Sequence, residues 1–475
     1  MKILLTGATG YIGKRLLPLL LEQGHEVICC VRDKSRFYYG GKYRQNIQLI
    51  EVDFLDQQST EKIPADINAA YYLIHSMSGA SNYDELESIS AVNFMEKINK
   101  TSAEQIIYLS GIVNEKSLSK HLSSRKAVEE ILKKGTTPVT ALRAGIIVGS
   151  GSASFEIMLD LINKLPVMVT PKWLNTKCQP IGIADVLEFL MKALLNPKTY
   201  GQSFDIGGPD ILSYKEMLLK LAEVKKLKRF IFTLPVMTPK LSSYWLYFIT
   251  STSFKLASAL VSSMKVEVVC RDNRINDLLD IKPIRYQQAL QNALIKIDED
   301  AVASSWKDSQ ISGRFKGSVG YYLKVPKKDC FIDRRKRKIK DRDAVIAKIW
   351  SIGGETGWYY ADWLWSLRGF IDKIFGGVGV RRGRTNRHDI HAGDVLDFWR
   401  VVYADKQQGK LILFAEMILP GDAWLEFKIF NDTLYQAATF RPKGIAGKLY
   451  WYAVLPFHGF IFNGMINKLT DQHLK

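Results

Sequence analysis

The chain has 475 residues, more than one ordinary domain holds, so two or three domains are expected. An apolar fraction of 47% belongs to a globular protein, and five cysteines (Cys29, Cys30, Cys178, Cys270, Cys330) without paired spacing exclude a zinc module and a disulfide framework. The net charge of +18 points to anionic partners, yet no zinc-finger spacing or RNA-binding signature accompanies it, so nucleic acid is not expected.

A strand-like run, Lys2-Ile3-Leu4-Leu5, starts almost at Met1, and no charged segment with a long apolar stretch precedes it. A cytoplasmic protein without a signal peptide is therefore expected, in keeping with the cysteine usage. Residues 241–264 and 447–469 are the most apolar stretches, but Ser and Thr in the first, and Lys448, Pro456, His458 and Asn463 in the second, interrupt them. Buried or interfacial helices suit both better than membrane spans.

Strand-like runs at 3–6, 26–31, 47–52, 69–74, 105–110 and 139–148 alternate with helical patterns at 11–23 and 123–134. This alternation predicts an α/β fold, a doubly wound parallel sheet of the Rossmann type. The turn after the first strand reads Thr6-Gly7-Ala8-Thr9-Gly10-Tyr11-Ile12-Gly13. Glycines at these three positions suit a tight turn, close approach of a pyrophosphate and contact between helix and sheet, and the helix that follows turns its N-terminal N–H groups to the phosphates. A nicotinamide dinucleotide is the implied cofactor. The second strand ends at Arg32, where an Asp or Glu would hold the ribose hydroxyls of NAD and an Arg favours a 2′-phosphate. Arg32, with Lys34 or Arg36, predicts NADP(H) rather than NAD(H), although Asp33 is adjacent. Asp53 and Phe54, after the third strand, fall where such folds meet the adenine; a plain strand-end acid is the competing reading of Asp53.

From 149 to about 325 helices and short strand-like runs form the substrate side of the same domain, giving a first domain of residues 1–325. The dense basic run Arg334-Arg335-Lys336-Arg337-Lys338, with Lys340 and Arg342, reads as a linker over 326–343 that could also contact an anionic membrane. The last domain, 344–475, is rich in Trp, Tyr and Phe. Runs at 395–403, 410–418, 424–429 and 434–440, separated by short turns, predict an antiparallel meander, and 445–469 a long helix with a possible kink at Pro456. This α+β domain could enclose a cavity for a small apolar ligand lined by Trp358, Trp363, Trp365, Trp399, Trp424, Phe427, Trp451 and Phe457, or the rings could fill its core. Arg400, Glu416 and Arg441 lie on predicted strands and need partners wherever they are buried. His458 reads as a core histidine. No metal site is expected.

The first 325 residues resemble the atypical short-chain dehydrogenase/reductases, in the NmrA-like and complex-I 39-kDa-subunit-like branch. The resemblance is carried by the glycine turn, Tyr72-Leu-Ile-His-Ser-Met77, Tyr108-Leu-Ser-Gly111, Leu142-Arg-Ala-Gly-Ile-Ile-Val-Gly149, Gln179-Pro-Ile181 with Asp185-Val186, and Phe204-Asp-Ile-Gly-Gly-Pro209. It implies a catalytic Ser at the end of the fifth strand and a Tyr-x-x-x-Lys pair, in which Tyr is the acid/base and Lys lowers its pKa. Ser110 stands where the Ser belongs, but the pair is replaced by His121 and Arg125 at the same spacing. His121 could shuttle a proton with Arg125 at the ribose, or the pair could be lost and Arg125 serve only to bind nucleotide. His75 and Ser76 would line the nicotinamide side. The C-terminal domain resembles a domain of unknown function fused to such reductases in bacteria, and its element order is similar to the helix-grip fold of START and polyketide-cyclase-like proteins. These readings imply an NADP(H)-dependent oxidoreductase acting on an apolar carbonyl, isoprenoid or quinone. The rival is a redox sensor or a stability factor for a membrane-associated complex.

Overall fold

The computed structural model describes residues 1–75, 83–113, 120–234, 246–247, 249–250, 254–298, 322, 325–326, 328–377, 379 and 389–471. Two compact units divide the chain, Met1–Gln310 and Ile311–Lys475. The first ends some way before residue 325, where the sequence reading put its limit.

In the first unit, β1 (Lys2–Leu5), β2 (Glu26–Val31), β3 (Ile47–Glu51), β4 (Ala69–Tyr72), β5 (Gln105–Gly111), β6 (Val139–Ala144) and β7 (Ser203–Ile206) form one sheet. Its order is β7-β6-β5-β4-β1-β2-β3, and all neighbours are parallel. The expected doubly wound fold is present. The central strands β1, β4 and β5 are largely apolar without alternation because helices cover both faces. Ile3 and Leu5 pack with Leu16 and Leu20 on one side, while Leu4 packs with Ile28, Ala70 and Tyr72 on the other. Helices α1 (Gly13–Glu22), α2 (Tyr83–Ile98) and α3 (Lys120–Leu132) belong to these layers. Strand order reverses between β1 and β4, which opens the crevice where such sheets bind ligands.

Residues beyond β6 build a second core from helices Ala153–Lys164, Tyr214–Val224 and Tyr286–Asp298 with short paired strands. Ser213 and Glu216 form a reciprocal capping box at the start of the middle helix. The motifs after β6 that carry the family resemblance are internal ties. Gln179 donates to the Gly208 carbonyl at 2.7 Å and accepts from Cys270 N at 2.9 Å. Asp185 accepts from Ile284 N at 3.3 Å, and burial pushes its carboxyl up to about 6.

The second unit carries a six-stranded antiparallel sheet: β8 (Phe331–Lys338), β9 (Val395–Leu396), β10 (Trp399–Asp405), β11 (Lys410–Ala415), β12 (Gly421–Phe430) and β13 (Thr433–Pro442), in the order β8-β13-β12-β11-β10-β9. Asn431 and Asp432, with φ of 45° and 49°, make the two-residue hairpin between β12 and β13. The terminal helix, Gly444–Thr470, contains Pro456 and packs on β8 and β13.

The expected basic linker is instead β8, an edge strand paired along its length with β13. The pleat separates its cations. Arg335 pairs with Asp333 at 3.0 Å, and Arg337 reaches Asn463 and Asn467 of the terminal helix at 2.7 and 2.8 Å. Arg334, Lys336 and Lys338 point to solvent, where charge guards an edge strand against pairing with another chain. Among the described residues no helix is long and apolar enough to cross a membrane, and no His, Cys, Asp and Glu cluster could hold a metal.

Candidate functional site

The glycine turn is built by close approach. Gly7 has φ +66°, and a Cβ there would lie 2.6 Å from the Leu73 carbonyl oxygen. A Cβ on Gly13 would lie 2.2 Å from the Gly7 carbonyl oxygen. Side chains at either place would push the turn off the sheet or the helix off the turn. Gly10 N donates to Gly7 O at 2.8 Å and closes the loop. Helix α1 then starts at Gly13 without a side-chain cap; Lys14 N and Arg15 N donate to the Gly10 and Ile12 carbonyls, and the positive end of the helix dipole faces the glycine turn, where it favours an anion. These features fit the pyrophosphate of a dinucleotide.

Two predicted contact residues turn inward. Thr6 is buried; its Oγ1 donates to Tyr71 O and accepts from Leu73 N, both at 3.0 Å, tying β1 to the end of β4. The Tyr11 ring lies under the Arg15 guanidinium, 4.1 Å away, and its phenol points to Gly149 and Ser152; burial pushes that phenol up to about 12. Thr9, Gly10 and Ile12 remain half-exposed on the turn. Arg32 follows β2 and is exposed. Phe54 is buried against Phe94, with ring centroids 5.6 Å apart, and belongs to the core rather than to an adenine pocket. Asp53 is exposed and accepts from Leu55 N at 3.1 Å, holding the turn after β3.

On the other side of the turn, His75 follows β4. Its Nδ1 lies 2.9 Å from Glu87 Oε1, and Glu87 is buried on α2. The second carboxylate oxygen accepts from Ser124 Oγ on α3, so one buried acid joins the end of β4 to two helices. Burial, and then the nearby Arg125 cation, push the His75 imidazole below its ordinary value and keep it neutral near pH 7. Arg125 packs over Gly111 at the end of β5, its Cδ 3.4 Å from where a Gly111 Cβ would be. Its Nε is buried without a hydrogen-bond partner among the described residues. Ser110 is buried beside Tyr108, whose phenol is pushed up to about 12 by burial and donates to Arg125 O at 3.3 Å. The fold thus gathers the glycine turn, His75, Ser110 and Arg125 at the carboxyl ends of β1, β4 and β5. Ser76 and the His121 side chain lie outside the described residues.

Sequence reasoning missed Glu87 and Ser124. A signal for the first was present. Glu87, Ala91, Phe94 and Ile98 recur at helical spacing and are all buried, so Glu87 is an acid inside an apolar stripe and needs partners.

Aromatic rings occupy much of the C-terminal domain's interior. Trp358, Trp365, Phe398 and Trp399 touch one another, and His458 sits edge-on between Trp451 and Phe462, at 4.8 and 4.9 Å. Trp424 is buried on the opposite face of the sheet with Phe414 and Tyr322, while Trp363 and Phe457 are exposed. Arg400 and Glu416 are both buried and pair at 2.9 and 3.0 Å, and Arg400 also donates to Gly393 O at 2.7 Å. Arg441 lies apart, bound to Asp422 at 2.6 Å.

Comparison with known proteins agrees with this division. Residues 7–157 match the model of an NAD(P)H-binding family, and residues 327–465 match a protein family of unknown function, DUF2867. The photosystem II assembly factor Ycf39 of Trieres chinensis is 24% identical over 247 residues, which are 49% of this chain and 74% of that protein. The mitochondrial NADH dehydrogenase [ubiquinone] 1 alpha subcomplex subunit 9 of Dictyostelium discoideum is 24% identical over 221 residues, 45% of this chain and 60% of its own length. Among solved structures, the triphenylmethane reductase of a Citrobacter species is 15% identical with a TM-score of 0.51, and covers 62% of this chain and all of its own, a likeness of fold alone. The chain therefore joins a domain that matches an NAD(P)H-binding family to a C-terminal domain that matches DUF2867.

Proposed function

We propose that the chain is an NADP(H)-dependent oxidoreductase acting on an apolar carbonyl, isoprenoid or quinone-type compound. The observation that carries this reading is the placement of the glycine turn against the end of β4, beside His75, Ser110 and Arg125. Arg32 supports the phosphorylated nucleotide, because a guanidinium can form two parallel hydrogen bonds to a 2′-phosphate. The bound nicotinamide would supply the hydride equivalent. Glu87 fixes the His75 ring by accepting from Nδ1, and Arg125 places a fixed positive charge close by. Neutral His75 and the Ser110 hydroxyl give the site groups able to hold or move a proton, and His121, which stands in the sequence where the family has its Tyr, is a further candidate for that role.

Titration of the full chain with NADPH and with NADH, repeated on Arg32→Ala, tests the nucleotide. NADPH is expected to bind more tightly and to lose roughly tenfold in the variant, with NADH little changed. Equal NADPH affinity in variant and parent overturns the assignment. Single-turnover NADPH oxidation with a short-chain quinone or an aliphatic aldehyde tests chemistry, and His75→Ala and His121→Ala then divide the proton transfer between the two imidazoles. A second reading, a non-catalytic NAD(P)H sensor or assembly factor for a membrane-associated complex, is favoured by the His121/Arg125 replacement. Tight nucleotide binding without oxidation by any acceptor selects it.

A further inference from the structure

Two helices of the C-terminal domain turn apolar side chains outward as well as inward. On the helix Asp362–Ile374, Trp365 enters the core, whereas Trp363 is 65% exposed and Phe370 and Ile374 lie bare on the same outer side, followed by Phe375 at 72%. Along the terminal helix, Ile445 is 78% and Leu449 66% exposed, and Tyr452 and Phe460 continue the outer face. Both helices cover the same face of the sheet, because Trp365, Trp451 and Phe462 share one core cluster and the Trp365 and Phe462 rings meet at 6.1 Å. Their outer sides therefore belong to one layer. Large apolar side chains exposed in this number on one layer mark an interaction site.

Charge decides between occupants. Residues 444–470 contain no Asp or Glu, and their cations are Lys448 and Lys468. The other helix carries Arg368 and Lys373, and its two acids are engaged: Asp372 is buried and accepts from Ile418 N and Gly379 N, while Asp362 accepts from Trp358 N. Aromatic and aliphatic side chains with flanking cations and no unengaged acid match a negatively charged lipid surface, into which rings insert while Lys and Arg stay at the headgroups. We propose that the outer faces of these two helices form an interfacial binding site for an anionic membrane. The domain would lie on the bilayer without spanning it, in keeping with the absence of a long enough apolar helix among the described residues. The exposed cations of β8 would add attraction at most.

Flotation of the full chain with phosphatidylcholine vesicles, with and without about 30% phosphatidylglycerol, tests the proposal. Binding is expected to the anionic vesicles, and to fall roughly tenfold or more when Trp363→Ser is combined with Phe375→Ser. Leu449→Ser with Tyr452→Ser is a second, independent pair should the first unfold, as thermal melts of each variant reveal. Replacing Arg334, Lys336 and Lys338 together by Ser is expected to weaken binding less than either pair. No binding to anionic vesicles overturns the proposal, as does binding that both folded helix variants retain in full. So does sedimentation showing a dimer that these variants dissociate without any lipid binding. The proposal does not rest on nucleotide chemistry, so vesicle binding by a chain that fails to bind NADPH would sustain it while defeating the functional reading.

Discussion

The nucleotide-binding domain and the C-terminal domain each hold an arginine–glutamate pair, half-buried Arg143 with Glu129 at 2.7 Å and fully buried Arg400 with Glu416 at 2.9 Å, but they place their reactive surface differently. In the first, glycines hollow out the carboxyl edge of the sheet and bring His75, Ser110 and Arg125 to it. In the second, aromatic rings occupy the interior and the apolar surplus lies on the outside of two helices. A parallel sheet creates a crevice at its switch point whatever covers its faces, so recognition there needs only residues at strand ends. An antiparallel sheet has no such switch point, and here rings occupy the interior while two helices expose apolar side chains outward.

The largest effect that would sharpen this contrast is expected from Arg400→Ala. It takes the paired guanidinium away from the buried Glu416 carboxylate, a loss of about 3–5 kcal/mol to the C-terminal domain. Urea unfolding should show that domain melting early while NADPH binding persists. Joint loss of both would mean that the domains are not energetically separate.

Next is Gly7→Ala, which sets a methyl group against the Leu73 carbonyl in a backbone conformation that suits glycine. A roughly hundredfold weaker NADPH affinity, about 2.7 kcal/mol, is expected by titration, with vesicle binding unchanged. Unaltered affinity would mean that the turn does not carry the nucleotide.

The most gradual effects come from pH, and they separate the domains by where they begin. Burial lowers the His458 imidazole from 6.5 to about 4, so below pH 6.5 the unfolded chain takes up a proton that the folded domain refuses. Stability of the C-terminal domain should therefore fall with falling pH by about 1.4 kcal/mol per unit at most, levelling off near pH 4, and His458→Gln should flatten this slope. Burial pushes the Glu129 carboxyl up, but Arg143, Ser203 and Lys133 outweigh it and hold it down at about 2. Its contribution is present above pH 4.5 and lost as pH falls towards 2, a later and separate step in an acid titration followed by circular dichroism.

Much of the first domain was legible because its strands are short apolar runs with glycine or charge at their ends, and residues 26–31 coincide with β2. The turn from Gly7 to Gly13 was legible because only glycine satisfies its contacts. What failed depended on neighbours distant in the chain. Phe54 looked like an adenine contact until Phe94, forty residues on, claimed its ring. Glu87 went unread as a site residue because its partners, His75 and Ser124, come from β4 and α3. The run from Arg334 to Lys338 resembled a linker because five cations suit no isolated strand. It becomes one where β13 supplies the hydrogen bonds and two asparagines of the terminal helix receive Arg337.

By itself the sequence determined the periodicities, the glycine turn and the aromatic composition of the last domain, all of them properties of residues near one another in the chain. Tertiary structure alone decided which polar groups meet at the strand ends, that the basic run guards a sheet edge, and which aromatic side chains face inward. The physical reason is that periodicity and turn chemistry are local. Burial, pKa and the outward face of a helix depend on which distant segments pack against it.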